Sequence, residues 1–119
     1  MITGLMVTLY GIQNCDTVRK ARHWLDKNGV EYSFHDLRKD GLNIELVSTW
    51  SSTLGWKSLI NKRGMTWRQL PDNENQDIDE NKAINLMTSH PTLIKRPLLD
   101  TGFIQHLGFD EHVYAQLLL

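Results

Sequence analysis

The 119-residue chain contains one cysteine, three prolines and no surplus of charge of either sign. A single cysteine excludes an intramolecular disulfide, and the five histidines show no metal-ligand spacing. The chain has thirteen Lys and Arg residues and fourteen Asp and Glu residues, which gives a net charge of -1. A charge near zero gives no support for direct nucleic-acid binding. No apolar run reaches the ~20 residues of a transmembrane helix, and the N-terminus lacks signal-peptide features. We therefore expect a cytoplasmic protein without a metal or a membrane partner.

Length and composition are typical of one globular domain. Hydrophobic residues make up 40% of the chain and charged residues 23%, which are ordinary values. A chain of 119 residues falls in the usual range of a single core. Because no repeat, low-complexity segment or linker interrupts the sequence, we predict one domain over residues 1–119 and expect a monomer.

The N-terminal part of the sequence has the pattern of a strand, a helix and a second strand. Residues 5–10 are apolar almost without interruption, as in a strand that is buried on both faces. Apolar residues then recur at helical spacing up to Gly29, a residue suited to a helix C-terminus. Residues 30–35 alternate between apolar and polar side chains, as strands do. Such a βαβ unit has parallel strands and is right-handed.

The remainder of the chain predicts an inserted helical segment followed by a hairpin and a helix. Helical patterns occupy about residues 42–90. Leu98-Leu99 and Phe103-Ile104 then flank Asp100-Thr101-Gly102, which has the composition of a hairpin turn. Asp110 is suited to cap a last helix. The order βαβ, helical insertion, ββα predicts an α/β, thioredoxin-like fold with a central mixed four-stranded sheet.

Cys15 lies where the first strand leads into the first helix. Backbone N–H groups and the helix dipole stabilise an anion at that position, so the thiolate, which is the nucleophilic form, is favoured. Arg19 follows one helical turn later and can stabilise the thiolate or hold an anionic partner. Asn14 can supply a polar side chain to the helix N-terminus or to the sulfur. The alternative is an inert, buried cysteine beside a solvated arginine.

Arg63 and Arg96 are two further basic residues, and their local sequence is also compatible with a purely structural role. Arg63 lies in a basic loop and is either a ligand-binding residue or plain surface charge. Arg96-Pro97 precedes the hairpin, and a trans proline at the start of an edge strand is the ordinary expectation, because X-Pro bonds are cis in only ~5% of folded cases.

Two motifs together make the chain resemble a known family. The first is C-x3-R at Cys15–Arg19, and the second is Hxx(L/I)(I/L)xRP at His90–Pro97, after a helix. With both, the sequence is similar to the arsenate reductase-like (ArsC/Spx) family, and within it to the YffB-like branch. The resemblance implies a thioredoxin-like fold in which Cys15 is the nucleophile and Arg96 lies near it. It also implies that Pro97 is a cis-proline facing the thiol.

The sequence departs from two other branches of the family at particular positions. Gly11 stands where arsenate reductases carry a histidine, and Asn61 and Phe109 stand at two of the three arginine positions that hold the oxyanion. Each charge-assisted contact contributes ~1.5–3 kcal/mol, so losing two weakens oxyanion binding by orders of magnitude. Val18 occupies the second cysteine position of the CxxC switch of Spx regulators.

The resemblance and the lone thiol lead to one functional hypothesis and two alternatives. The hypothesis is a glutathione-dependent thiol reductase that acts through a mixed disulfide, with glutathione as co-substrate and no bound cofactor. The alternatives are an Spx-like regulator that binds the RNA polymerase α subunit without turnover, and a weak arsenate reductase. The predicted catalytic residues are Cys15 and Arg96, and the predicted substrate-binding residues are Asn14, Arg19, Arg63 and Pro97.

Overall fold

A four-stranded mixed sheet is the central element of the protein. The structure, a computed structural model, describes residues 6–119. The strand order is β2-β1-β3-β4, with β1 parallel to β2 and antiparallel to β3, and β3 antiparallel to β4. This topology confirms the predicted α/β, thioredoxin-like class. The strands are β1 Thr8–Gly11, β2 Ser33–Asp36, β3 Leu98–Asp100 and β4 Gln105–Leu107.

The described residues form two compact units. The first, which we call the sheet unit, comprises residues 6–36 and Arg96–Leu119, and it contains the sheet with α1 (Asp16–Lys27) and α6 (Glu111–Leu118). The second, the helical unit, is Leu37–Lys95. Helices are therefore present in the segment for which an insertion is predicted, while the single domain stays a prediction. Those helices are α2 Ile44–Leu54, α3 Trp56–Leu59, α4 Met65–Gln69 and α5 Glu80–Ser89, followed by a 3-10 turn at Pro91–Leu93.

The core of the sheet unit lies between β1, α1 and α6. Leu9 is buried because β1 lies between two other strands, and Val18, Ala21 and Leu25 place one face of α1 against the same core. The part of the predicted first strand at residue 5 lies outside the described residues. Tyr114 joins the cluster from α6 and is fully buried.

Strand β2 begins later than the alternating pattern predicts. Gly29 has a φ of 68°, and the N–H of Val30 still donates to the carbonyl of Leu25 at 3.0 Å. The N–H of Val30 is therefore bonded to the last turn of α1 and not to a neighbouring strand. Strand pairing begins at Ser33, whose N–H donates to the carbonyl of Val7 at 2.9 Å.

The hairpin is present, but the prediction of its second strand at Phe103-Ile104 is wrong. The hydroxyl of Thr101 accepts from the N–H of Ile104 at 3.1 Å, and the N–H of Thr101 donates to the carbonyl of Ile104 at 3.0 Å. These bonds hold Phe103 and Ile104 in the turn, where Phe103 is 83% exposed. The strand then starts at Gln105, because only there does the chain pair with Asp100.

Side-chain oxygen atoms cap the starts of three described helices, namely Asn43 at α2, Asp79 at α5 and Asp110 at α6. Asp110 accepts from the N–H groups of His112 and Val113 at 2.9 and 3.2 Å, which confirms it as the cap of α6. In the helical unit, Asp79 accepts from the N–H of Lys82 at 2.8 Å at the start of α5. Within residues 6–119, no helix combines the length and apolar character needed to cross a bilayer.

Candidate active site

Cys15 is the N-cap residue of α1, and it carries the only thiol of the chain. Its backbone is extended, with φ of -132° and ψ of 122°, and its carbonyl accepts from the N–H of Arg19 at 2.9 Å. The residue is half-buried and packs against the core of the sheet unit. The sulfur therefore lies at the positive end of a 12-residue helix while retaining access to solvent.

Gly11 ends β1 and allows α1 to lie close to the strand. A Cβ atom at Gly11 would lie 2.8 and 2.9 Å from the two γ-methyl groups of Val18, which is fully buried. Such distances are well inside van der Waals contact. Any larger residue at this position, including the histidine of arsenate reductases, would require Val18 to move. The glycine thus fixes the distance between β1 and the first turn of α1, the turn that carries Cys15.

Arg19 forms an ion pair with Asp16 on the surface of α1. The two side chains are 60% and 84% exposed. The hydrogen bond and charge of Arg19, with a smaller contribution from Lys20, hold the pKa of Asp16 below its ordinary value. The sequence interpretation, in which Arg19 stabilises the thiolate or holds an anionic partner, missed this pair, although opposite charges three residues apart on a helix are the signal for it. A substrate-binding role for Arg19 stays a prediction.

The Arg96–Pro97 peptide bond is cis, as the resemblance implies. Leu98 of β3 pairs with Tyr10 of β1, so the antiparallel register continued by one residue brings Pro97 alongside Gly11. Pro97 is buried, and its carbonyl accepts from the N–H of Gly108 at 2.8 Å. Arg96 is half-buried, with its Nε atom inside the protein. The sheet therefore brings this dipeptide to the edge at which β1 leads toward Cys15.

The two other predicted binding residues lie in different units. Asn14 is exposed in the turn immediately before Cys15. Arg63 is exposed in the helical unit, where its N–H donates to the Oδ1 atom of Asn61 at 3.0 Å and its carbonyl accepts from Arg68 at 3.2 Å. The structure thus brings Asn14, Arg19, Arg96 and Pro97 into the unit that holds Cys15.

The chemistry available at the site is that of a thiol. Within residues 6–119, no three His, Cys, Asp or Glu side chains are grouped so as to hold a metal ion. A thiolate at a helix N-terminus is a nucleophile toward disulfide sulfur. Arg19, Arg96 and Asn14 add basic or amide side chains to this unit, which suit an anionic substrate. The Asp16 carboxylate next to Cys15 is paired with Arg19.

A mixed sheet of this order, with a cysteine opening α1 and a cis-proline before β3, belongs to the thioredoxin-like class. The model of the ArsC family matches residues 10–117, and the chain belongs to that family.

Relatives of known sequence or structure cover most of the chain. An uncharacterized protein from Haemophilus influenzae is 40% identical over 109 residues, which are 92% of this chain and 96% of that protein. The solved structure of a YffB protein is 42% identical with a TM-score of 0.90, covering 96% of this chain and 100% of that one. The global transcriptional regulator Spx of Streptococcus mutans is 31% identical over 108 residues, which are 89% of this chain and 78% of that protein.

Proposed function

We propose that the protein is a glutathione-dependent thiol reductase with Cys15 as its nucleophile. The observation that supports this proposal is the position of Cys15, half-buried at the N-terminus of α1, in the segment that follows Gly11, the residue that the sheet register brings alongside the cis Pro97. The thiolate of a cysteine is the nucleophile in exchange with a disulfide. A reducing compartment keeps such a lone thiol available, so we place the reaction in the cytoplasm.

The first step is an exchange between thiolate and disulfide. The Cys15 thiolate attacks one sulfur of a disulfide, the S–S bond of the substrate breaks, and the second sulfur leaves as a thiolate that takes a proton from water. The product on the protein is a mixed disulfide at Cys15, for example with glutathione.

The second step needs an external thiol, because the chain contains one cysteine. A glutathione thiolate attacks the glutathione sulfur of the mixed disulfide, and Cys15 leaves as a thiolate. Over both steps, a substrate that is disulfide-bonded to glutathione and one reduced glutathione give the free substrate thiol and oxidised glutathione. The electron gained by the substrate sulfur comes from the sulfur of the incoming glutathione, and the proton lost by its thiol balances the proton taken up by the leaving substrate thiolate. No bound cofactor enters the balance.

The neighbouring residues have distinct proposed roles. Arg96 stabilises the thiolate of Cys15 when it attacks and when it leaves. Glutathione carries two carboxylates, and Arg19 is suited to pair with one of them. Arg19 must then exchange part of its contact with Asp16 for the substrate, which its exposure permits. The backbone beside Pro97 and the side chain of Asn14 offer hydrogen bonds to the peptide part of glutathione.

The decisive experiment measures adduct formation and turnover. Purified protein is incubated with oxidised glutathione, examined by mass spectrometry, and then assayed for disulfide reduction with reduced glutathione. We expect one glutathione adduct on the wild type and none on Cys15→Ser, with turnover lost in that variant. Ser52→Ala, an exposed change in α2, is the control and should retain both. Turnover in Cys15→Ser, or no adduct on the wild type, would contradict the proposal.

Arg96 can be tested separately from the nucleophile. We expect Arg96→Ala to slow alkylation of Cys15 by iodoacetamide at neutral pH, because a nearby cation is lost. Arg96→Lys should restore part of the rate, since the charge returns without the planar guanidinium. Equal alkylation rates in all three proteins would remove Arg96 from the proposed mechanism.

The second candidate function is that of a regulator without turnover. The Spx relative at 31% identity favours it, since that protein is a transcriptional regulator. Under this alternative the chain binds the RNA polymerase α subunit. Co-purification with that subunit by both wild type and Cys15→Ser, together with no turnover, would favour this candidate over the reductase.

A further inference from the structure

A cleft of about 330 Å³ lies beside α1, along the part of the helix from Lys20 to its C-terminal end. Lys20, His23, Trp24 and Lys27 line it from α1, and Phe109 and Glu111 line it from the start of α6. All of these residues belong to the sheet unit. The volume falls at the lower end of small-molecule sites, which span ~300–1,000 Å³, so it suits a one- or two-ring compound rather than a folded partner.

The aromatic side chains of the cleft are held in place by a buried tyrosine. The ring centroid of Trp24 lies 5.7 Å from that of Tyr114 at 87°, and the centroid of Phe109 lies 5.0 Å from it at 88°. Tyr114 is fully buried, and its hydroxyl donates to the carbonyl of Gly108 at 3.1 Å. Trp24 and Phe109 are only half-buried, so part of each ring remains available. Two edge-to-face contacts with one buried ring thus hold a partly open aromatic surface in a fixed position.

The polar groups of the cleft carry a positive balance. Lys20 and Lys27 contribute two positive charges against one negative charge from Glu111, and His23 adds a further N–H donor. Within residues 6–119, neither lysine ammonium group nor the Glu111 carboxylate takes part in an ion pair. The side-chain NH₂ group of Asn28 donates to the carbonyl of Trp24 at 2.9 Å, and the side-chain oxygen of Asn28 can accept a hydrogen bond from a ligand. Lysines beside an aromatic surface match a planar apolar group that bears an anion.

We infer that this cleft is a binding site for a small aromatic carboxylate. The ring of the ligand packs on Trp24 and Phe109, and its carboxylate is held by Lys20 and Lys27. Glu111 repels the same carboxylate and so weakens binding in the wild type. The site does not involve the sulfur of Cys15, and it stands independently of the reductase proposal.

The test uses 2-naphthoate as the probe and 2-naphthamide as its neutral counterpart. Binding of each to the full chain is measured by calorimetry, and the contacted residues are identified by NMR shifts of backbone amides. We expect saturable binding of the carboxylate, weaker binding of the amide, and shifts confined to α1 and the start of α6. Equal affinity for both probes, or shifts elsewhere in the chain, would overturn the inference.

Charge variants sharpen the test, since all of them change exposed side chains. Lys20→Ala together with Lys27→Ala should weaken naphthoate binding by about five-fold, from the usual strength of two exposed charge contacts. Lys57→Ala, an exposed lysine of α3, is the matched control and should change nothing. Glu111→Gln should tighten binding, and Cys15→Ser should leave it unchanged. Weaker binding in Glu111→Gln, or no effect of the double lysine variant, would refute the assignment.

Discussion

Replacing Gly11 with alanine tests how closely β1 and α1 are packed. The new Cβ atom would lie 2.8 and 2.9 Å from the γ-methyl groups of Val18, about 0.7 Å inside ordinary carbon–carbon contact. Val18 is fully buried, and a β-branched side chain has few rotamers with which to move away. Gly11 has no positive φ, so alanine brings no backbone strain of its own. The effect of the substitution therefore measures the contact.

The expected magnitude follows from three opposing contributions. Overpacking of a full core costs about 2–3 kcal/mol when both methyl groups of a rigid side chain are involved. Burial of the added methyl group returns about 0.8 kcal/mol, and the lower entropy of the unfolded chain returns about 0.5 kcal/mol. The net change is a loss of about 1–2 kcal/mol in the free energy of unfolding. For a domain of this size the melting temperature should fall by about 4–8 °C.

A double-mutant cycle decides whether Val18 is the cause. Val18→Ala alone should cost about 2 kcal/mol, because two buried methyl groups are lost and a cavity remains. If the methyl group added at position 11 fills that cavity, the double variant should have a free energy of unfolding no lower than that of the single variant Val18→Ala. The coupling energy should then be at least about 1–2 kcal/mol, the full cost of Gly11→Ala alone, which exceeds the ~0.3–0.5 kcal/mol within which independent sites add. Additive losses, or a stabilising Gly11→Ala, would refute the packing argument.

Three other predictions concern the sheet unit. Asp110→Ala should lower the free energy of unfolding by about 1 kcal/mol in urea denaturation, because α6 loses its cap, whereas the asparagine variant should lose far less. Tyr114→Phe should cost about 1 kcal/mol in the same assay, since the carbonyl of Gly108 loses its hydroxyl donor. Because Arg19 lowers the pKa of Asp16 in the folded state, this pair stabilises the fold above the ordinary carboxyl pKa and is lost as the pH falls through the lowered value. Arg19→Gln should therefore raise the pKa of Asp16 in an NMR titration, and an unchanged value would contradict the pair.

Local sequence patterns predicted the elements whose signals lie within a few residues. The helix from Asp16, its termination near Gly29 and the capping of α6 by Asp110 all depend on neighbouring residues and were identified from them. The two motifs at Cys15–Arg19 and His90–Pro97 identified the family. A βαβ unit and a hairpin also predicted a mixed four-stranded sheet, whereas the strand order β2-β1-β3-β4 is a result of the structure.

The predictions that failed, or were missed, depended on competition between nearby groups. The hairpin turn is longer than its composition indicates because the hydroxyl of Thr101 bonds to Ile104 in place of a strand partner. The ion pair of Arg19 with Asp16 was missed, although Asp16 is about as near to Arg19 along the helix as Cys15 is, while the predicted role of Arg19 toward the thiolate or an anionic partner stays a prediction. In both cases one polar group had two partners within reach, and their relative energies depend on coordinates.

Residues 5–29 are enough to predict that a lone thiol opens the first helix, because hydrophobic periodicity and helix-start chemistry are local. That Gly11 must remain small follows from the folded structure, since the limiting atoms belong to Val18 on another element. The folded structure also decided that Trp24 and Phe109, 85 positions apart in the chain by their numbering, share one cleft. Contacts between distant segments arise from packing around a common buried side chain, here Tyr114, and no short-range pattern in the chain specifies them.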